Sequence, residues 1–183
     1  MTEMRKRICL LLLACLFACS ALPALGASSE KPLLGDFTTV NLDLEAVDTS
    51  LFLEYPVNMI NMWATYCPPC LNEMPDLGKI AAEYADKGVQ IIGLVLDVTD
   101  QQLAPVESQM ELAREIVQAT GAAYPHILPT MEMVQSVLHA VTAVPTTVFV
   151  DAQGRLLGQA VIGSRSYEQW TELLDALLLE AAP

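Results

Sequence analysis

The pattern of apolar and polar residues predicts alternating strands and helices in the first half of the chain. Phe37–Leu44 and Leu51–Leu53 predict an N-terminal strand pair. Val57–Trp63 is a longer strand, and Val89–Leu96 is an apolar run typical of a strand buried on both faces of a parallel sheet. Between these two strands, apolar residues recur at helical spacing until the stop signal at Lys87-Gly88.

The second half of the chain predicts two further helices, a hairpin and a terminal helix. An apolar stripe runs through Val106–Val117, and Met131–Val141 predicts a short helix. Thr146–Val150 and Leu156–Val161 flank the turn DAQG, which predicts a β-hairpin. The last helix begins with a capping-box pattern over Ser166–Gln169.

This order of elements predicts one α/β domain over residues 36–183. Strands joined by helices form parallel pairs, and a hairpin adds antiparallel strands, so the central sheet is expected to be mixed and flanked by helices. The N-terminal strand pair lies outside this order. The crossover between residues 97 and 124 is long, which predicts an insert.

The first 26 residues predict a leader for export. The basic segment Arg5–Arg7 precedes the apolar run Ile8–Leu22 and a stretch of small residues, as in a secretory signal peptide. Leu16–Cys19 also resembles a lipobox, so a lipid on Cys19 or an uncleaved leader is a possible membrane tether. We therefore expect a periplasmic or cell-envelope protein, with a flexible lead-in over residues 27–35.

The charge of the remaining chain excludes some partners. Residues 27–183 keep six of nine basic residues and twenty-one of twenty-two acidic residues, a formal charge of −15. Nucleic acid and anionic lipid bind basic surfaces, so neither is an expected partner. We expect a monomer.

Cys67 and Cys70, in the segment WATYCPPC, are the only cysteines after the leader. A disulfide across two residues closes a very short loop and stabilises a fold little. A zinc site needs four ligands, and the only histidines, His126 and His139, are separated in sequence. A copper(I) carrier that uses the two thiolates remains an alternative to a redox centre.

The position of the two cysteines between a strand and a helix favours redox chemistry. Unpaired N–H groups and the helix dipole stabilise a thiolate at a helix start, so Cys67 is the expected nucleophile. Cys70 lies one turn later, where it can attack a mixed disulfide. Pro68 and Pro69 stiffen the turn between them.

Two segments, NMWATYCPPCLNEMP and VPTTVFVDAQGRLLGQAVIG, resemble the TlpA/ResA-like thiol–disulfide oxidoreductases of the thioredoxin superfamily. The resemblance implies a thioredoxin-like fold and an exported enzyme that reduces disulfides of exported proteins, for example in cytochrome c maturation. It also implies a membrane thiol donor as partner. The redox-active Cys67–Cys70 disulfide would serve without a further cofactor or a metal.

The resemblance implies a role for individual residues. Cys67 corresponds to the attacking thiol and Cys70 to the resolving thiol. Trp63 corresponds to the aromatic residue that flanks the site. Pro145 corresponds to a cis-proline that faces the disulfide, and Val144 before it presents backbone groups to an extended substrate.

Three further positions are expected to support the site. Asn61 stands where cytosolic thioredoxins carry a buried acid, and an amide cannot accept a proton. Pro75 corresponds to a proline that kinks the active-site helix. Glu73 is the nearest carboxylate in sequence that can assist Cys70, although we expect it to face solvent. The family often carries a basic residue after the second cysteine, where this chain has Leu71-Asn72.

Overall fold

The computed structural model describes residues 31–181, so the predicted leader and the lipid site at Cys19 lie outside the described residues. The strands within this range are β1 (Thr38–Val40), β2 (Ala46–Asp48), β3 (Val57–Trp63), β4 (Val89–Val95), β5 (His126–Ile127), β6 (Thr146–Val150) and β7 (Leu156–Ile162). The α-helices are α1 (Pro68–Tyr84), α2 (Glu107–Thr120), α3 (Met131–Ser136) and α4 (Tyr167–Ala181). Short 3₁₀ helices cover Thr49–Phe52, Ala85–Lys87 and Leu138–Ala140.

Five strands form a mixed central sheet in the order β5-β4-β3-β6-β7. β3 lies at its centre, parallel to β4 and antiparallel to β6. β4 and β5 are parallel, and β6 and β7 form the predicted antiparallel hairpin. β1 and β2 pair separately from this sheet. The predicted mixed sheet with flanking helices is therefore confirmed.

Both faces of the sheet are covered, so β3 is buried along its whole length. On one face the core contains residues of α1, α2 and α4, among them Met74, Met110 and Trp170. On the other face the core contains residues of the N-terminal segment, among them Leu34 and Phe37, and Met133 of α3. Alternate side chains of β3 enter each core because successive strand residues point to opposite faces.

Two boundary predictions were wrong. The second strand of the N-terminal pair is Ala46–Asp48, and Leu51–Leu53 falls in and just after a 3₁₀ turn. Asp48 begins that turn because its side chain accepts a hydrogen bond from the backbone N–H of Ser50. The lead-in is described only from Lys31 onward, and there Leu34 is buried, so the packed domain begins before residue 36.

The helix ends follow the predicted signals. Gly88 and Gly121 adopt left-handed conformations, with φ of 95° and 69°, directly after the segments that they terminate. The predicted capping box also forms: the Ser166 backbone N–H donates to Gln169 Oε1, and the Gln169 N–H donates to Ser166 Oγ. No helix within residues 31–181 combines the length and apolarity that crossing a bilayer requires.

Helix α1 approaches the end of α2 closely at Gly78. A Cβ atom added at Gly78 would lie 2.4 Å from the backbone oxygen of Gly121. Only glycine fits at position 78 in this packing, because the opposing atom is backbone and cannot rotate away. The contact holds the active-site helix against the crossover.

We predict that Gly78→Ala destabilises the protein by about 1–3 kcal/mol, as expected for overpacking, although alanine is the better helix former. Urea unfolding would measure the change. As a control, Ala82→Gly on the exposed side of the same helix should cost about 0.5–1 kcal/mol from backbone entropy alone. A stabilised Gly78→Ala variant would contradict the close packing of α1 on the α2 terminus.

Candidate active site

Cys67 occupies the N-cap of α1, with extended backbone angles of −100° and 95°. Pro68 and Pro69 follow it in the first turn, where a missing N–H costs nothing because no helical acceptor exists for it. Cys67 Sγ accepts a hydrogen bond from the Cys70 N–H at 3.2 Å. The two cysteines form a disulfide with a Cα–Cα distance of 5.3 Å.

The two sulfurs differ in their access to solvent. Cys67 is 4% exposed and Cys70 is completely buried. Both are less exposed than a free surface thiol, but their order is the one predicted from their places in the helix. Pro68 and Pro69 are exposed beside them. A partner that approaches the disulfide therefore meets the sulfur of Cys67 first.

A tight turn connects β3 to α1. The Cys67 N–H donates to the Ala64 carbonyl at 3.1 Å, and the Leu96 N–H donates to the Trp63 carbonyl at 2.9 Å. At the tip of this turn Tyr66 is 74% exposed. Tyr66 was not among the predicted site residues, although its place immediately before Cys67 was the available signal.

The Val144–Pro145 peptide bond is cis, as expected from the sequence. It lies at the start of β6, next to the end of β3, because Met62 is opposite Thr146 in the register. The Pro145 carbonyl accepts a hydrogen bond from the Gly163 N–H at 2.8 Å. Val144 packs against the core cluster that contains both cysteines.

Glu73 is buried, with 3% of its surface exposed, so the expected solvent-facing position was wrong. Its Oε1 accepts from Asn61 Nδ2 at 3.0 Å, and its Oε2 accepts from the Arg165 N–H at 3.0 Å and from Trp170 Nε1 at 3.3 Å. Burial nevertheless raises the pKa of Glu73, because these hydrogen bonds compensate only part of the lost hydration.

Asn61 contacts the Glu73 side chain, and Pro75 follows Glu73 by two residues in α1. Asn61 is fully buried and donates to both Glu73 Oε1 and Thr147 Oγ1 at 3.0 Å, while its Oδ1 has no hydrogen-bond partner in the described structure. Pro75 lies within α1, where its ring nitrogen cannot donate to the carbonyl one turn earlier. One intrahelical hydrogen bond is therefore missing at Pro75, although α1 continues to Tyr84.

Trp63 points into the core and contacts His126 on β5. Trp63 Nε1 donates to His126 Nδ1 at 3.2 Å, and His126 Nε2 lies 3.0 Å from the Ala122 carbonyl. Burial lowers the pKa of His126 to about 4, so the ring is neutral near pH 7. A Cβ added at Gly93 would lie 2.1 Å from His126 Nδ1, so only glycine leaves room for this pair.

The histidines do not form a metal site. His126 uses both ring nitrogens within the core, and His139 is exposed in the turn Leu138–Ala140. Across residues 31–181, no group of three or more histidine, cysteine or acidic side chains is placed to bind a metal ion.

The chain was compared with known families, curated proteins and solved structures. The Redoxin family profile matches residues 26–165. The thiol-disulfide oxidoreductase ResA of Bacillus thuringiensis subsp. konkukian is 29% identical over 118 residues, which are 64% of this chain and 61% of ResA. The match thus spans about three-fifths of that relative's length. These similarities confirm the resemblance to TlpA/ResA-like proteins of the thioredoxin superfamily, and they lend no support to a copper carrier.

Solved structures confirm the thioredoxin-like fold. A thiol:disulfide interchange protein of the thioredoxin family from Chlorobium tepidum TLS aligns with a TM-score of 0.64 and 22% identity, over 81% of this chain and 94% of that protein. A secreted Mycobacterium tuberculosis disulfide oxidoreductase homologous to E. coli DsbE aligns with a TM-score of 0.60 and 18% identity, over 79% and 97% of the two chains.

We predict that the stability of the wild type falls relative to Glu73→Gln as pH rises from 4.5 toward 8. Folding raises the pKa of Glu73 above 4.5, so the folded state binds its proton more tightly than the unfolded chain. The stability that the protonated carboxyl contributes is complete below pH 4.5 and is lost as pH rises through the folded-state pKa.

Denaturant unfolding of both proteins between pH 4 and 8 would measure this difference. The informative quantity is how the difference in unfolding free energy between the two proteins changes with pH. Its absolute value is not, because the glutamine amide alters the hydrogen bonds at every pH. Glu172→Gln, which removes an exposed carboxylate of α4, should follow the wild type. A pH-independent difference between wild type and Glu73→Gln would show that Glu73 titrates alike in both states.

Proposed function

Because the chain belongs to the Redoxin family, we propose that it is an extracytoplasmic thiol–disulfide oxidoreductase that reduces disulfides of exported proteins. The observation that carries the proposal is the Cys67–Cys70 disulfide at the N-terminus of α1, in which Cys67 is 4% exposed and Cys70 is completely buried. Unpaired N–H groups and the helix dipole favour a thiolate there.

The reaction proceeds by two exchanges of sulfur bonds. The Cys67 thiolate attacks one sulfur of the substrate disulfide; a mixed disulfide forms and the other substrate sulfur leaves as a thiolate that takes up a proton. The Cys70 thiolate then attacks Cys67 Sγ and displaces the second substrate sulfur, which is also protonated. The substrate gains two electrons and two protons, and the protein is left with the Cys67–Cys70 disulfide.

Glu73 is the proposed proton acceptor for Cys70. It lies one turn further along the same face of α1, since residues three apart on a helix are neighbours. Burial raises its pKa, which makes it a stronger proton acceptor than an exposed carboxylate. Asn61 cannot accept the proton, and we assign it the role of orienting the Glu73 carboxylate through its Nδ2 donor.

An extended substrate segment would dock between the active-site turn and the Pro145 loop. Tyr66 is 74% exposed on one side, and Ile162, opposite Thr146 at the end of β7, is 59% exposed on the other. Val144 lies half-buried between them and presents its backbone. Two exposed apolar side chains beside a sulfur suit a polypeptide better than a small disulfide.

The compartment and partners follow from the N-terminal sequence and the relatives. Residues 1–26 have the composition of an export leader, and one structural neighbour is described as secreted. An oxidising compartment requires a membrane thiol donor to return the Cys67–Cys70 pair to the dithiol form. Apocytochromes with paired haem-attachment cysteines are the proposed substrate class, and a monomer is the proposed state.

We predict that the mature protein accelerates reduction of insulin disulfides by dithiothreitol, and that Cys67→Ser abolishes this activity. Cys70→Ser should instead retain the first exchange and accumulate a mixed disulfide, because the resolving sulfur is missing. Non-reducing electrophoresis and mass spectrometry would identify the adduct at Cys67. An adduct that forms in Cys67→Ser and not in Cys70→Ser would reverse the assigned roles.

We also predict that Tyr66→Ala raises the KM for insulin about fivefold, the effect of losing an interface aromatic worth about 1 kcal/mol. The rate with the small disulfide of glutathione should change little, because a small substrate does not reach the aromatic ring. Tyr55→Ala, away from the active-site turn, provides the control. An equal loss with both substrates would show that Tyr66 acts on the turn itself and does not bind the polypeptide.

A further inference from the structure

Asp97 holds the active-site turn from the end of β4. Its two carboxylate oxygens accept from the Thr65 N–H at 3.1 and 3.0 Å, and one of them also accepts from the Thr65 hydroxyl at 2.5 Å. Thr65 lies two residues before Cys67, inside the turn that the Cys67 N–H closes on the Ala64 carbonyl. The carboxylate therefore lies directly behind the backbone that leads into the reactive cysteine.

Few other charges act on this turn within residues 31–181. The first turn of α1 carries no acidic residue, and Leu71-Asn72 after the second cysteine are uncharged. Glu73 is buried behind Cys70, and His126, behind Trp63, is neutral.

A further charged residue, Arg165, lies in the loop before α4. Its guanidinium donates to the carbonyls of Gly163 and Ser164, and its backbone N–H donates to Glu73. Arg165 thus lies on the Glu73 side of the site, and Asp97 lies on the Thr65 side. Asp97 is the charged group bonded to the Ala64–Cys67 turn itself.

We propose that Asp97 is a positioning residue that fixes Thr65 and that its negative charge makes the Cys67 thiolate less stable. A negative charge beside a thiol disfavours ionisation. A less stable thiolate raises the free energy of the reduced dithiol form relative to the disulfide form. A dithiol protein is a strong oxidant when its reduced form is stabilised, so a destabilised reduced form makes the protein a stronger reductant. Asp97 therefore shifts the pair toward donating electrons.

This inference rests on the proposed function and identifies a residue that sets its direction. Reduction of substrate disulfides requires that the Cys67–Cys70 dithiol gives up electrons readily. The two residues directly after Cys70, Leu71-Asn72, are uncharged, and Asp97 adds a negative charge at the other end of the turn. Both features act in the same sense on the thiolate.

The test compares the wild type with Asp97→Asn. The amide keeps the size and one oxygen acceptor for the Thr65 N–H, and it removes the charge. For the reduced protein we expect alkylation of Cys67 by iodoacetamide at pH 6 to become about threefold to tenfold faster, the order of magnitude expected when one unit charge close to a partly exposed thiolate is removed. In glutathione buffers the variant should be reduced at a higher ratio of oxidised to reduced glutathione than the wild type.

Two control variants separate charge from positioning. Thr65→Val removes the hydroxyl donor to Asp97 and keeps the carboxylate, so it should not accelerate alkylation. Glu111→Gln removes an exposed carboxylate on α2 and should behave as the wild type. A purely structural role for Asp97 predicts instead that Thr65→Val and Asp97→Asn change the alkylation rate in the same way.

The inference is overturned if Asp97→Asn alkylates no faster than the wild type, or if Thr65→Val reproduces its effect. Far-UV circular dichroism checks folding, and if Asp97→Asn does not fold, Asp97→Ser removes the charge in the same assays and the same outcomes decide. Neither assay uses a protein substrate. A failure to reduce insulin would therefore count against the proposed function and leave the measured effect of Asp97 standing.

Discussion

The hydrogen bonding of β3 on both sides is the constraint on which the site depends. β4 and β6 pair with it along its length, and all seven of its residues are buried. Such a strand cannot slip by one residue, because a slip would exchange the side chains of its two faces. Its end at Trp63 is fixed further by the Leu96 N–H and by His126, so the turn to Cys67 starts from a defined point.

The disulfide packs in an apolar core, and Glu73 is the only buried carboxyl group within residues 31–181. A carboxylate is costly to bury, and three N–H donors from β3, α4 and the loop before α4 reduce that cost. They do not remove it, and the pKa of Glu73 is raised. The burial that shields Cys70 also encloses the carboxyl group that we propose as its proton acceptor. The stability of the fold is reduced by burying the Glu73 carboxylate, whereas the proposed proton transfer requires that carboxylate close to Cys70.

The surface around Cys67 differs from the rest of the protein. Residues 27–183 are strongly acidic, whereas Tyr66, directly before Cys67, and Ile162, at the end of β7, are exposed and uncharged. Backbone and apolar contacts do not depend on the sign of the partner's charge. This arrangement suits the proposed reduction of varied polypeptides, with Asp97 acting on the thiolate and not on the partner.

The sequence by itself determined the central elements of this protein. Val57–Trp63 was predicted with the observed bounds, and the cis bond before Pro145 was expected from its motif. The strand follows from local periodicity and turn signals, whereas the cis bond was expected from the family resemblance, since a proline by itself allows either isomer. The first cysteine was placed at a helix start from local periodicity as well, since a strand and a helix flank it directly.

Only the tertiary structure decided what surrounds the cysteines. Glu73 was expected in solvent because helical spacing does not show that its donors come from residues 12, 92 and 97 positions away. The bond between Thr65 and Asp97 joins residues 32 positions apart and has no local signal. Burial and long-range hydrogen bonds arise when strands and helices pack together, and their energies decide which polar side chain is enclosed.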